Sequence, residues 1–260
     1  SPEDSPEDSP EDSPEEEQPS VELGGASGAS EVAGNLGTLI HDPAALCGEV
    51  AGAHASGWRL EIHAIGDRAA DQVLKALEAC TQTPSGQGPS GQRGGKLRAP
   101  RRPIITHCQV LGPDLIPRMA KVGCVASVQP SMVPTDARFV FDRLRPRLHP
   151  FAYAWRSLLE AGVWVAGGSD APVELAEPLL GMYDAMTRTR RPQGGGARDR
   201  TPLGSEESQG AHAIVFRPSE RLPFAAALWL YTIGAAYAAD AFQPTAAPAA
   251  APAAAPAAAP

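Results

Sequence analysis

Hydrophobic and polar positions alternate along this chain between two patterns. Short apolar runs, WRLEIHA, RPIITHC, CVASVQ and VWVAGGSD, are bounded by Gly and Pro and read as strands near 58–64, 103–108, 124–128 and 163–168. Between them lie stretches with apolar residues at helical spacing, such as RAADQVLKALEAC, where Ala69, Val73, Leu74 and Leu77 share a face. Asp42 followed by Pro43 reads as the N-cap and first residue of a helix that Gly57 ends. PDLIPRMAKVG, FAYAWRSLLEAG and a segment near 178–188 read as further helices, and LPFAAALWLYTIGAAYAADAF as two closing ones. Strand, helix and strand in regular succession predict β/α units with parallel strands. Trp155, Trp164, Trp229 and Tyr231 fall on apolar faces and are expected in the core.

The ends break the pattern. The opening SPEDSPEDSPEDSPEEE repeats every four residues with no apolar side chain to bury, and is expected to be disordered. The closing AAPAAAPAAAPAAAP places a proline in every helical turn, which predicts a semi-extended tail. Two loops rich in Gly, at 82–102 and 192–212, interrupt the body.

Charge changes the picture only at the start. The net charge of −8 is concentrated in residues 1–22, which hold ten of the 30 acidic and none of the 22 basic residues. The remainder is nearly neutral, and its arginine clusters, LRAPRR and TRTRR, sit beside Gly-rich loops, so no nucleic-acid partner is expected. No apolar run reaches the roughly 18 residues of a membrane span, and the start has no signal-peptide core. Cys47, Cys80, Cys108 and Cys124 form no C-x-x-C pair, which argues against a zinc knuckle and fits reduced thiols in the cytoplasm.

Candidate chemistry lies at the strand ends. Each strand finishes in polar residues: His63, then His107 with Gln109, then Gln129, then Ser169 with Asp170. In parallel α/β folds the C-terminal strand ends open into one mouth where ligands collect. Two imidazoles and a carboxylate suit zinc and related divalent ions, and three protein ligands plus water make a catalytic site. GQGPSG at 86–91 matches a dinucleotide fingerprint only in letters, because no strand precedes it and no helix follows. GGSDA at 167–171 lacks the second glycine of a nucleophile elbow. His41, His54, His149 and His212 receive no role.

The blocks HAIGDRA, HCQ, SVQPS with Asp136, AYAWRSLLEAG, GSDAPVE with PLLGMYDAMTR, and LWLYTIGAAYA resemble, in this order, the C-terminal half of amidohydrolase family 3, the YtcJ-like metal-dependent hydrolases. The resemblance runs from about Gly37 to Phe242. It implies an α/β fold, a partial TIM-type (β/α)8 barrel of the amidohydrolase superfamily comprising about strands 5–8, with disordered N- and C-terminal tails. The expected division is an acidic leader over 1–32, a partial barrel over 33–243 and an Ala/Pro tail over 244–260. By the resemblance, His63 and His107 are metal ligands, Asp170 is both ligand and catalytic proton acceptor, and the metal is a divalent ion, zinc first. The substrate class is a small molecule with an amide-type, non-peptide C–N bond. Asp67 reads either as a group that fixes an imidazole or loop or as a turn cap, and Gln109 and Gln129 as supporting or substrate-facing residues.

The chain also departs from that pattern. Its histidines stand at 41, 54, 63, 107, 149 and 212, so the H-x-H pair of the family's first strand has no counterpart. Thr106 stands where the family often has glutamate, and Met132 where histidine is common. A four-stranded half barrel is expected to expose two unpaired edges, inviting self-association. The site is expected to be incomplete, with a metal position that can stand empty, which predicts a weak or inactive fragment. The alternative is a catalytically dead half barrel serving as a binding or regulatory module, with the acidic repeat as its interaction element.

Overall fold

A computed structural model describes residues 37–82, 102–137, 139–189 and 215–241. The acidic leader, the Ala/Pro tail, His212 and nearly all of both Gly-rich loops lie outside the described residues.

Asp42 begins the first helix as its sequence dictates: its side-chain oxygen accepts from the N–H groups of Ala44 and Ala45, and Pro43 opens α1 (Pro43–Ala55). The chain then forms β1 (Glu61–Ala64), α2 (Asp67–Gln82), β2 (Ile104–His107), α3 (Leu115–Val122) and β3 (Val125–Val128). Gly123 closes α3 in the left-handed region at φ 73°, donating to the carbonyls of Ala120 and Met119, a conformation that costs glycine little. Short helices α4 (Met132–Asp136) and α5 (Val140–Arg143) and a 3-10 segment (Pro146–Phe151) occupy the stretch between β3 and the next longer helix. After them come α6 (Trp155–Glu160), β4 (Trp164–Gly167) and α7 (Pro178–Thr187).

Among the described residues, the four strands form one parallel sheet in the order β1-β2-β3-β4, each beginning inside its predicted range. With its helices this is the second half of a (β/α)8 barrel. Side chains alternate across the sheet as strand geometry requires. Ala64, Ile105, Ala126, Val128 and Val165 join the main core with Leu74, Met119, Trp155 and Leu158 from the helices. Ile104, Val125 and Ala166 face the other way, towards what would be the barrel interior, and pack with Tyr237.

Tyr237 reaches that face through an unforeseen course of the chain's last helices. Instead of two separate elements, α8 (Phe224–Trp229) runs through a π-helical turn (Leu230–Gly234) directly into α9 (Ala235–Ala238). Leu230 is buried in the main core and Tyr237 on the opposite face of the sheet, so the helical run crosses the edge of β4 between them. Gly234 lies at the crossing, where a Cβ would stand 2.2 Å from the Val165 carbonyl oxygen. Beyond the crossing, the Tyr237 ring stacks on Trp164 at 3.5 Å with the Arg102 guanidinium 3.7 Å above its other face.

This corrects the expectation of two open edges. β4 is covered by the chain's own helix, and β1 is the edge left without a neighbouring strand among the described residues. In β1 Glu61 and His63 are exposed and Ala64 is buried. Trp155 is fully buried as expected, while Trp164, Trp229 and Tyr231 pack at the margin of the cores.

Polar anchors join the helices. Arg118 on α3 makes a two-pronged bond to Glu78, at 2.8 and 2.9 Å, and a third bond to Asp71 at 2.7 Å, tying α3 to α2. Arg188, wholly buried after α7, donates to the carbonyls of Phe216 and Tyr153 and stacks over Trp155. Burial pushes its pKa down to about 9, which still leaves it charged at neutral pH.

A candidate metal centre at the strand tips

The tips of the four strands converge as the mouth of a parallel barrel requires. His63 shares the interior face of β1 with Glu61, whose carboxylate accepts a 3.0 Å hydrogen bond from Thr106 of β2. By strict alternation His107 would follow Ile105 to the helix side. It does not, because His107 and Cys108 both take left-handed backbone conformations, φ 79° and 49°. Each costs a non-glycine residue on the order of 1 kcal/mol, held by the surrounding structure. The turn keeps the Cys108 side chain in the core and brings the His107 ring edge-on to His63, with centroids 4.5 Å apart.

Asp170, at the end of the Gly167–Gly168–Ser169 turn, is a third left-handed residue, at φ 56°. Its Oδ2 lies 3.9 Å from His107 Nε2. The opposite ring nitrogen, Nδ1, pairs with Gln129 Oε1 at 3.0 Å. Burial, reinforced by the neighbouring His63 ring, holds the His107 pKa below its ordinary 6.5 despite Asp170 and Gln129. The imidazole is therefore neutral at physiological pH, the form that binds metals.

Of the other expected residues, Asp67 makes contacts at the start of α2, in keeping with the turn-cap alternative. It accepts from the Arg68 N–H and lies 3.6 Å from Arg147, fixing the start of α2 and the 3-10 segment to each other. Gln109 is buried and donates to Met132 Sδ at 3.0 Å, while its carbonyl accepts from the Tyr153 N–H. Met132 thus occupies, as an apolar neighbour of Gln109, the position where resemblance suggested histidine.

Two pairings at the mouth were not anticipated. Tyr153 donates to Asp136 at 2.5 Å, and burial with that carboxylate drives its phenol well above the ordinary 10. Thr135 donates to the buried Glu174 at 3.0 Å, joining α4 to the loop after β4. Both acids stood in the blocks that carried the family resemblance; what sequence lacked was their partners, which come from distant segments.

The donor chemistry of His63, His107 and Asp170 fits a divalent ion, but their spacing fits incompletely. Two donors about 2.0–2.1 Å from a tetrahedral zinc lie about 3.3 Å apart. The His107 to Asp170 separation of 3.9 Å exceeds this by roughly half an ångström. Among the described residues no three His, Cys, Asp or Glu side chains already stand as a group that could hold a metal ion.

The model of the amidohydrolase family matches residues 20–241. A Bacillus subtilis (strain 168) protein that carries amidohydrolase in its name, YtcJ, is 34% identical over 200 residues, which cover 77% of this chain and 32% of that protein. LONG AFTER FAR-RED 3 of Arabidopsis thaliana is 32% identical over 206 residues, covering 79% of this chain and 30% of that protein. The chain therefore spans about a third of the length of these curated relatives. Crystal structures of uncharacterized metal-dependent hydrolases from Pyrococcus furiosus and Pyrococcus horikoshii match with TM-scores of 0.56 and 0.57 at 21% and 22% identity. Each match covers 78% of this chain, and 33% and 34% of the respective crystal chains.

Proposed function

This chain belongs to the amidohydrolase family, and from that premise we propose that its function is hydrolysis of small molecules at amide-type, non-peptide C–N bonds. In this reading His63, His107 and Asp170 hold a divalent metal, with zinc the first candidate. The single observation that carries it is that His63 of β1 and Asp170 of the turn after β4 both come to the His107 ring, at 4.5 Å between ring centroids and 3.9 Å from Nε2 to Oδ2. A bound divalent ion supplies Lewis acidity and lowers the pKa of water from 15.7 towards about 7. Asp170 then has the part of proton carrier. Its side chain is 41% exposed, and with an ion held there it would accept a proton from a water molecule in the mouth and pass it to the departing nitrogen. His107 contributes a neutral lone pair at Nε2, and Gln129 orients its ring. Gln109 backs the same wall through Met132, and Asp67 keeps the β1 loop in place.

In this reading the 3.9 Å between His107 and Asp170 shortens on metal uptake through a small inward movement of the Asp170 turn, and a site that must rearrange in this way supports the expectation of weak activity. The same observation favours a second reading, a half barrel without catalysis that serves as a binding or regulatory module, with the acidic repeat as its interaction element. The β1 edge, which has no further strand beside it among the described residues, offers a route to self-association, whereas β4 does not, being crossed by the helical run at Gly234.

Metal analysis beside an amidase screen separates the two readings. The hydrolase reading expects close to one zinc or related ion per chain and at least a tenfold drop in occupancy for His107→Ala. A chain that takes up no metal and cleaves no amide leaves the binding module standing.

A further inference from the structure

Gln129 lies just past β3, where its amide can face the His107 ring in only one way. Its backbone is pinned, since the Gln129 carbonyl accepts from the Met132 N–H at 3.1 Å as the chain turns into α4. Its side chain is nearly fully buried between two partners, the Ser127 carbonyl and His107 Nδ1. A carbonyl oxygen only accepts, so the group facing Ser127 is the amide nitrogen, at 3.3 Å. The amide oxygen is thereby turned towards His107, where it stands 3.0 Å from Nδ1 and can only accept. The reverse orientation would bring two oxygens together at Ser127 and leave an N–H facing His107, breaking both bonds at once.

From this relay we infer that Gln129 is a positioning residue: reading its polarity from the Ser127 carbonyl, it fixes the His107 proton on Nδ1 and keeps Nε2 bare. The bare nitrogen is the one on the Asp170 side of the ring. In free histidine the two tautomers compete, and a ring with Nε2 protonated presents a donor instead of a lone pair to the mouth. The relay therefore prepares His107 as a ligand before any ion arrives, and it does so from backbone geometry two residues upstream on β3. The usefulness of this preparation rests on the metal-centre reading, but the tautomer itself does not.

The test uses the metal-free chain, labelled with 15N at histidine, and reads the two-bond proton–nitrogen couplings of the His107 ring. The wild type should show Nδ1 protonated and Nε2 bare. Gln129→Met keeps the volume but removes the acceptor, so the Nε2-protonated form should become detectable or dominant. In zinc titrations Gln129→Met should bind about 10–100-fold more weakly than the wild type. An Nε2-protonated ring in the wild type, or the same tautomer in Gln129→Met, overturns the inference. If the chain binds no metal, the spectra still decide the tautomer, so failure of the metal reading and failure of the relay are told apart.

Discussion

Replacing Gly234 by Ala sets two opposed effects against each other at one atom. Gly234 has helical backbone angles, φ −60° and ψ −47°, so intrinsic propensity alone favours alanine by about 1 kcal/mol. The structure reverses the sign. The added methyl would lie 2.2 Å from the Val165 carbonyl oxygen and 3.2 Å from that of Trp229. Since Cβ atoms essentially never come within 3.0 Å of such neighbours, the helix must retreat from β4 by about 0.8 Å. Both obstacles are backbone, and neither can rotate away. The retreat pulls Tyr237 from Trp164, Arg102 and the Ile104, Val125 and Ala166 surface. Overpacking costs about 1–3 kcal/mol, and with an unyielding backbone as the obstacle the upper part of that range, about 2–3 kcal/mol, applies, which leaves a net loss of roughly 1–2 kcal/mol after the propensity gain. With a urea slope of about 2 kcal/mol per molar, the unfolding midpoint should fall by roughly 0.5–1 M, and tryptophan fluorescence should report altered surroundings of Trp164 and Trp229. A midpoint that rises would refute the reasoning, because it would mean that propensity acts unopposed and the helix does not cross β4 at this distance.

Arg118→Met should lower stability by about 1–2 kcal/mol in urea unfolding, since two carboxylates lose a charged donor at a half-exposed site where solvent screens part of the gain. The pH dependence follows from the same contact. Hydrogen bonding to Arg118 holds Glu78 below its ordinary 4.5, and for Asp71 burial acts upward but is outweighed by Arg118 and Lys75, leaving it below 3.8. Groups depressed in the folded state stabilise it above their unfolded values and lose that contribution as pH falls through the folded ones. Wild-type stability should therefore decline below about pH 4.5, and the Arg118→Met curve should be flatter there; parallel curves would count against the contact. Tyr153→Phe removes the phenol from Asp136 and should cost about 1–3 kcal/mol, measured by the same unfolding assay; an unchanged midpoint would show that Asp136 is satisfied without it.

The strands were legible because each couples a short apolar run to Gly or Pro boundaries, and the cap at Asp42 because a carboxylate before proline has one common use. His63, His107 and Asp170 were legible as polar ends of apolar runs, a signal that survives in one dimension. The geometry that makes them neighbours was not. His107 faces the mouth only because two successive residues adopt left-handed angles, and no residue type at 107 or 108 announces that. The course of the last helices was hidden for a similar reason. Thr232, Ile233 and Gly234 continue an apolar helical pattern, and only the approach to Val165 reveals why a glycine is needed and how the run changes sides of the sheet. Sequence treated the two sheet edges alike; long-range packing distinguishes them.

The central claim is that one cation sits among His63, His107 and Asp170. Crystals of the chain grown with zinc, with diffraction recorded on both sides of the zinc absorption edge, would test it most directly. A single anomalous peak is expected about 2.0–2.2 Å from His107 Nε2 and from an Asp170 carboxylate oxygen, with His63 as a further ligand. Zinc density elsewhere on the molecule, or no peak with His107 and Asp170 still 3.9 Å apart, would contradict it.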